Sequence, residues 1–92
     1  MGFLRKLFGG DSTSEAKIAA RENYGGFELR AAPTKDPNGW RVAGSVAKEV
    51  GGEVKVHQFV RADTYPNHDD AVTVSLRKGR QLVDERGDAL FS

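Results

Sequence analysis

Residues 39–64 read GWRVAGSVAKEVGGEVKVHQFVRADT, and this stretch decides the fold. On both sides of the pair Gly51-Gly52, apolar side chains recur at every second position, which is the period of a strand with one buried face. Two glycines adopt the positive φ angles of a tight two-residue turn without steric cost. The stretch therefore predicts an antiparallel hairpin, with one strand starting near Gly39 and the other over residues 53–62.

The flanking residues add one strand before the hairpin and one helix after it. Phe27, Leu29 and Ala31 alternate with more polar neighbours, which indicates a half-buried strand. Asn67 is a suitable N-cap for a helix whose apolar residues follow at helical spacing, and Gly87 is well placed to end it. The sequence predicts an α+β fold, a three-stranded antiparallel sheet with one long C-terminal helix packed on one face.

The first part of the chain lacks these strong patterns. Gly9-Gly10 and the polar residues that follow favour a joint rather than regular structure. We expect residues 1–25 to be a flexible N-terminal segment with a short helix over residues 15–21, capped by Ser14. Residues 26–92 are then a single β-β-β-α domain.

Composition excludes several classes of function. A chain of 92 residues is one small domain, and a net charge of +1 argues against nucleic-acid binding through bulk charge. The absence of cysteine excludes disulfides, cysteine zinc sites and thiol catalysis, and it suits the cytoplasm. No residues assemble a nucleophile with its base or a metal site, since His57 and His68 lack a short spacing. We expect no enzymatic activity, no cofactor and no metal.

The length of the central turn determines which side chains face the helix. With a two-residue loop, which the glycine pair favours, Gly44 lies opposite Phe59, Val46 opposite His57 and Val42 opposite Arg61. The helix then covers Trp40, Val42, Val46 and Phe59. The opposite face of the sheet presents a second apolar surface that needs a partner; it consists of Val54, Val56, Val60, Ala43, Ala47 and Ala62.

A three-residue loop would move the pairing by one position and exchange the two faces of the last strand. Val54, Val56 and Val60 would then join the core. The free face would combine basic groups with one aromatic ring, as in sheets that bind nucleic acid; it would carry Lys55, His57, Phe59 and Arg61 beside Arg41 and Ser45.

A second basic cluster lies on the predicted helix. Arg77, Lys78 and Arg80 could lie against a phosphate backbone. The same residues also fit an ordinary solvated helix face, because Asp84 follows Arg80 by four positions and can form an ion pair with it.

The run EVKVHQFVRADT at residues 53–64, together with Leu76-Arg77-Lys78, resembles the small bacterial HlyU-type family. The opening MGFLRKLFGG and the closing GDALF at residues 87–91 resemble the ends of that family. The resemblance covers most of the chain and implies a cytoplasmic bacterial transcription regulator; the family is named for transcriptional activation of haemolysin. It is not a resemblance to the winged-helix regulators of the same name.

Two functions follow from these observations. The first is a non-enzymatic transcriptional regulator that contacts DNA through a basic sheet or helix face, with candidate residues Arg30, Arg41, Lys55, His57, Arg61, Arg77, Lys78 and Arg80. The alternative is a protein-interaction or homodimerisation module that uses the apolar sheet face at Val54, Val56 and Val60, without direct contact to nucleic acid. The expected partners are accordingly DNA, a second copy or another protein. We do not expect membrane contact through Phe3, Leu4, Leu7 and Phe8.

Overall fold

The computed structural model describes residues 18–91, which form one antiparallel sheet and a long helix. The strands are β1 (Ala20–Tyr24), β2 (Phe27–Ala31), β3 (Thr34–Asp36), β4 (Gly39–Val50) and β5 (Glu53–Tyr65). The helix α1 (His68–Arg86) is followed by a short 3₁₀ helix, Gly87–Phe91. The opening apolar segment and the first part of the helix predicted over residues 15–21 lie outside the described residues.

β4 is the central strand of the sheet, because it pairs with three other strands. β2 pairs with one part of β4 and β3 with another, on the same side, while β5 runs along the whole of the opposite side. β1 pairs with the outer side of β2. The α+β class and the C-terminal helix are confirmed, but the prediction of three strands is wrong because the sheet has five.

The two extra strands have different origins. β1 includes Ala20 and Arg21, so the predicted short helix is wrong at these two positions, and Gly25-Gly26 forms the hairpin turn between β1 and β2. β3 lies just before Gly39, where no strand was predicted. Both are short strands with few apolar side chains, so the period-two signal is weak in each.

The central hairpin has the two-residue loop. Val50 pairs with Glu53 across Gly51 and Gly52, whose φ angles of 59° and 83° require glycine. The pairs of Gly44 with Phe59 and of Val46 with His57 are as predicted, and the three-residue alternative is wrong.

One predicted pair is wrong. Val42 does not lie opposite Arg61, because the ladder is interrupted between the pairs Ala43–Val60 and Arg41–Thr64. Residues 61–63 of β5 thus face the single residue Val42. Such a bulge bends the strand and ends the regular part of β5 at Val60.

The core lies between the sheet and α1. Its buried residues are Phe27, Leu29, Val42, Val46, Phe59, Val74, Leu82 and Leu90. Trp40, predicted to lie under the helix together with Phe59, lies outside this cluster and is half-buried against His68, with ring centroids 4.4 Å apart. Leu90 belongs to the 3₁₀ helix, so the end of the chain folds back onto the same side of the sheet as α1.

Both ends of α1 follow the sequence signals. The side-chain oxygen of Asn67 accepts hydrogen bonds from the backbone N–H groups of Asp69 and Asp70, at 2.7 and 3.3 Å. At the other end, Gly87 adopts a φ of 51° and its N–H donates to the carbonyl of Val83. The helix therefore spans the predicted residues.

Two glycines allow close packing, Gly79 between α1 and the sheet and Gly44 within the sheet. A Cβ atom at Gly79 would lie 3.3 Å from Cδ2 of Leu29. A Cβ atom at Gly44 would overlap the backbone carbonyl of Arg30 and lie 3.0 Å from Cζ of Phe59. Gly44 thus lets both the neighbouring strand and the Phe59 ring pack against the centre of β4.

Candidate protein-interaction surface

The sheet face opposite α1, called the back face here, has no covering layer among residues 18–91. α1 packs mainly on β4 and β2, and the 3₁₀ helix lies on the same side because Leu90 shares a core with Val46. The remaining described elements are strands of the sheet itself. Within residues 18–91, the back face is therefore the face of the sheet that no other element covers.

The back face has a shallow trough whose floor is the central strand. Ala43, Ser45 and Ala47 point to this side and are buried, although no helix formed by residues 18–91 covers them. Their side chains are short, and larger residues of the neighbouring strands rise on both sides. Val56 is paired with Ala47 on one side, and Arg30 with Ser45 on the other.

The wall on the β5 side is apolar. Val54, Val56 and Val60, which we call the valine stripe, all point to the back face because they are separated by even numbers of positions on a regular strand. Val54 is 58% exposed and Val60 is 67% exposed, while Val56 is half-buried. Burying a valine side chain is favourable by about 1.5 kcal/mol or more, so a partner that covers the valine stripe would bind with favourable free energy.

The opposite wall is charged, and two of its arginines share one carboxylate. Nε of Arg30 donates to Oε1 of Glu28 at 2.8 Å, and Nη1 of Arg21 lies 3.4 Å from Oε2 of the same carboxylate. Partial burial acts to raise the pKa of Glu28, but the hydrogen bond and charge of Arg30, helped by Arg21, outweigh it and lower this pKa. Arg30 is thus held in an ion pair.

Arg41 is also paired with an acid. Its Nη2 donates to Oδ2 of Asp36 at 2.5 Å. The backbone N–H of Asn38 donates to the other oxygen of Asp36, and these two hydrogen bonds lower the pKa of the carboxyl. The loop before β4 therefore supplies the counter-ion for Arg41.

The basic sheet surface considered above is split by the observed register. Arg30 and Arg41 belong to the back face, whereas Lys55 and His57 point to the side of α1. Nζ of Lys55 lies 3.5 Å from Oε1 of Glu53, and His57 is half-buried opposite Val46. These four side chains consequently do not form one continuous surface.

One residue of the basic cluster on α1, Arg80, is also held in an ion pair. Nη1 of Arg80 donates to both carboxylate oxygens of Glu22, at 2.8 and 2.9 Å. This ion pair ties α1 to β1, as does the 2.7 Å hydrogen bond from the Tyr24 hydroxyl to Asp84, which raises the pKa of Tyr24. The acid predicted as the partner of Arg80 thus bonds Tyr24 instead.

Three of the predicted cations remain without an ion pair to any of residues 18–91. Arg61 and Arg77 are exposed, and Lys78 is half-buried. Arg61 lies at the bulge of β5, where Nη1 of Arg41 approaches its carbonyl oxygen at 3.4 Å. Arg77 and Lys78 lie on α1, on the other side of the sheet from the back face.

Two other kinds of site have no basis in the described part of the chain. Between residues 18 and 91, no three His, Asp or Glu side chains come close enough together to hold a metal ion. Over the same residues, no helix combines the length and hydrophobicity needed to cross a membrane.

Sequence reasoning identified the valine stripe but missed its surroundings. The acids that neutralise the arginines, Glu28 and Asp36, were not recognised as partners. A signal was present for one of them, because Glu28 and Arg30 are two positions apart on one strand and so share a face. The trough floor could be found by the same rule, since small residues occupy alternate positions of β4.

Comparison with known proteins gives one match. The model of the family described as transcriptional activator HlyU matches residues 2–91, nearly the whole chain. Searches of curated proteins and of solved structures found no match. The chain therefore belongs to the HlyU family of transcriptional activators.

Proposed function

We propose that this protein regulates transcription in the cytoplasm by binding another protein through the back face of its sheet. The observation that carries this proposal is the exposure of Val54 and Val60 beside a trough of small, buried residues. The valine stripe next to the trough resembles the core of a protein interface, where charged residues are depleted. The paired state of Arg30 and Arg41 further favours a protein partner over phosphate.

The test compares variants of the two surfaces in the native host. Val54→Lys with Val60→Lys places two charges on the valine stripe, where both side chains are largely exposed and the fold should tolerate them. Arg77→Glu with Lys78→Glu is the matched control on α1. We expect transcript profiles of the valine variant to equal those of a deletion strain, and those of the control to equal wild type.

The proposal would be refuted if the valine variant kept wild-type transcript profiles while the α1 control variant lost them. Circular dichroism of the purified variants establishes that both remain folded, so that loss of regulation reports on the surface and not on stability.

A second candidate function is direct DNA binding. It is favoured by Arg61, Arg77 and Lys78, which have no acidic partner among residues 18–91. Fluorescence anisotropy with random duplex DNA would then give affinities that fall as salt is raised, with a slope of about 0.9 for each phosphate neutralised. If the protein-contact proposal is right, the purified protein gives no measurable slope.

A further inference from the structure

We infer that the cavity between β3 and the first turn of α1 binds a small aromatic carboxylate, whose ring lies against Trp40 and whose charge is met by Lys35 and His68. The cavity has a volume of about 470 Å³ and is lined by Pro33, Thr34, Lys35, Trp40 and His68. This volume lies within the range of about 300–1,000 Å³ that is usual for small-molecule sites. The site lies on the α1 side of the sheet, so the inference is independent of the proposed contact through the back face.

Local structure brings the lining residues together. Lys35 pairs with Trp40 across the β3–β4 hairpin, so the two side chains lie on the same face of the sheet. Asn67 caps α1, and the helix therefore starts at His68. The His68 ring meets the Trp40 ring, with centroids 4.4 Å apart and an angle of 76° between the ring planes. The cavity is thus held by a strand pair and a capped helix.

Trp40 provides an aromatic surface for the ring of a ligand. The residue is half-buried and lies outside the core cluster, so part of the indole is accessible. Pro33 is buried and adds an apolar wall. An aromatic ring gains from the burial of its area and from offset-stacked or edge-to-face contact with a second ring. A flat apolar ring therefore suits this part of the cavity.

Lys35 provides a positive charge that no acid neutralises within residues 18–91. Its Nζ atom lies 5.1 Å from the centroid of the Trp40 ring, inside the limit of about 6 Å for a cation–π contact. The neighbouring acid, Asp36, belongs to the opposite face of the strand, where it bonds Arg41. A carboxylate held against Trp40 can therefore bind the Lys35 ammonium group without displacing another acid.

His68 adds a hydrogen-bond donor. Its side chain is 41% exposed, and a neutral imidazole carries one N–H that can donate to a carboxylate oxygen. The next residue, Asp69, has Oδ1 at 3.9 Å from Nδ1 of His68, but its side chain is 97% exposed. Water and salt screen a charge that is so exposed, and none of the five lining residues is acidic. The cavity therefore favours an anion over a cation.

The start of α1 does not itself hold the anion. Free backbone N–H groups at a helix N-terminus commonly bind anions, but those of Asp69 and Asp70 donate to the side chain of Asn67, at 2.7 and 3.3 Å. The charge of the ligand is left to Lys35 and His68. One ammonium group and one imidazole N–H suit a singly charged group with two acceptor oxygens, which is a carboxylate.

The full chain carries its own probe of this cavity. Trp40 is the only tryptophan, so its indole N–H gives one NMR signal that reports on the site. The protein is titrated with benzoate, benzyl alcohol and benzylammonium at constant ionic strength. We expect benzoate to shift the signal saturably, benzyl alcohol to bind about threefold more weakly or less, and benzylammonium to bind more weakly still. No saturable shift with benzoate, or benzylammonium binding as tightly as benzoate, would overturn the inference.

The substitution Lys35→Met tests the source of the charge. It keeps an unbranched side chain and removes the ammonium group, and the fold should tolerate it because Lys35 is exposed. We expect the Kd of benzoate to rise about threefold or more and that of benzyl alcohol to stay within about twofold. Lys78→Met is the matched control on α1, since Lys78 also lacks an ion pair within residues 18–91 and does not line the cavity. Benzoate affinity equal to wild type in Lys35→Met would overturn the inference.

The role of His68 is tested by two variants. His68→Ala removes the donor, whereas His68→Gln keeps a side-chain N–H. We expect benzoate to bind the glutamine variant more tightly than the alanine variant, and the reverse order would contradict the assigned role.

These outcomes are separable from those of the proposed function. The variant with Val54→Lys and Val60→Lys changes the other face of the sheet and should bind benzoate like wild type. A protein that binds benzoate and whose valine variant regulates normally would refute the proposed function alone. A protein that ignores benzoate and whose valine variant loses regulation would refute the ligand site alone.

Discussion

The substitution Gly44→Ala tests whether the centre of the sheet is as tightly packed as the structure implies. The added methyl group would overlap the carbonyl oxygen of Arg30 on β2 and press on Cζ of Phe59 on β5. The obstacle on the β2 side is backbone and cannot rotate away. Relief therefore requires β2 to move away from β4 near the pair Ala31–Gly44.

The expected cost is the sum of two effects. Overpacking a core costs about 1–3 kcal/mol, and weakening one or two ladder hydrogen bonds adds about 0.5–1.5 kcal/mol each. We expect Gly44→Ala to lower the free energy of unfolding by about 3 kcal/mol or more. For a domain of this size, each kcal/mol lowers Tm by about 4–8 °C, so the melting temperature should fall by about 12–24 °C.

Urea unfolding followed by circular dichroism measures the effect, with Gly79→Ala as the matched control. Its methyl group would meet only the flexible side chain of Leu29, at 3.3 Å, while alanine gains up to about 1 kcal/mol of helix propensity over glycine. The control should stay within about 1 kcal/mol of wild type. If Gly44→Ala unfolded at the same urea concentration as wild type, the centre of the sheet would not be as tightly packed as described.

Three further predictions concern single contacts. Asn67→Ala removes the cap of α1 and should cost about 1 kcal/mol in urea unfolding, whereas Asn67→Asp should retain most of it. Ser75→Ala removes the buried acceptor at 3.3 Å from the Ala43 N–H and should cost about 1–3 kcal/mol, with Ser75→Thr less harmful if the acceptor is what matters. Asp36 has a pKa lowered by the Asn38 N–H and then by a neighbouring guanidinium, so its stabilising effect is complete above the unfolded pKa of about 3.9 and is lost as the pH falls through the lower folded value. Asp36→Asn should therefore flatten the acid side of the curve of unfolding free energy against pH, and an unchanged slope would contradict this.

The central hairpin was predictable because its determinants are local. Two glycines with positive φ fix the loop length, and the loop length fixes which side chains of β5 face α1. The assignment of Val54 and Val60 to the back face follows from these two residues alone.

β1 was not predictable in the same way because its contacts are distant in sequence. Glu22 is held by Arg80 and Tyr24 by Asp84, both on α1. Apart from Tyr24, β1 contains only alanine and polar residues, and these are as compatible with a short helix as with a strand. The bulge after Val60 is equally hidden, since no glycine or proline marks residues 61–63.

The composition of β4 links the core to the proposed interface. Gly44 on the α1 side allows Phe59 to pack over the strand, and Ala43 and Ala47 on the other side leave a trough beside β5. Larger residues at the two alanine positions would fill this trough and cover part of the valine stripe. Ala47→Leu should therefore leave α1 and the core in place while weakening protein contact, because it changes only the back face. Retention of full regulation by that variant would mean that the trough is not part of the interface.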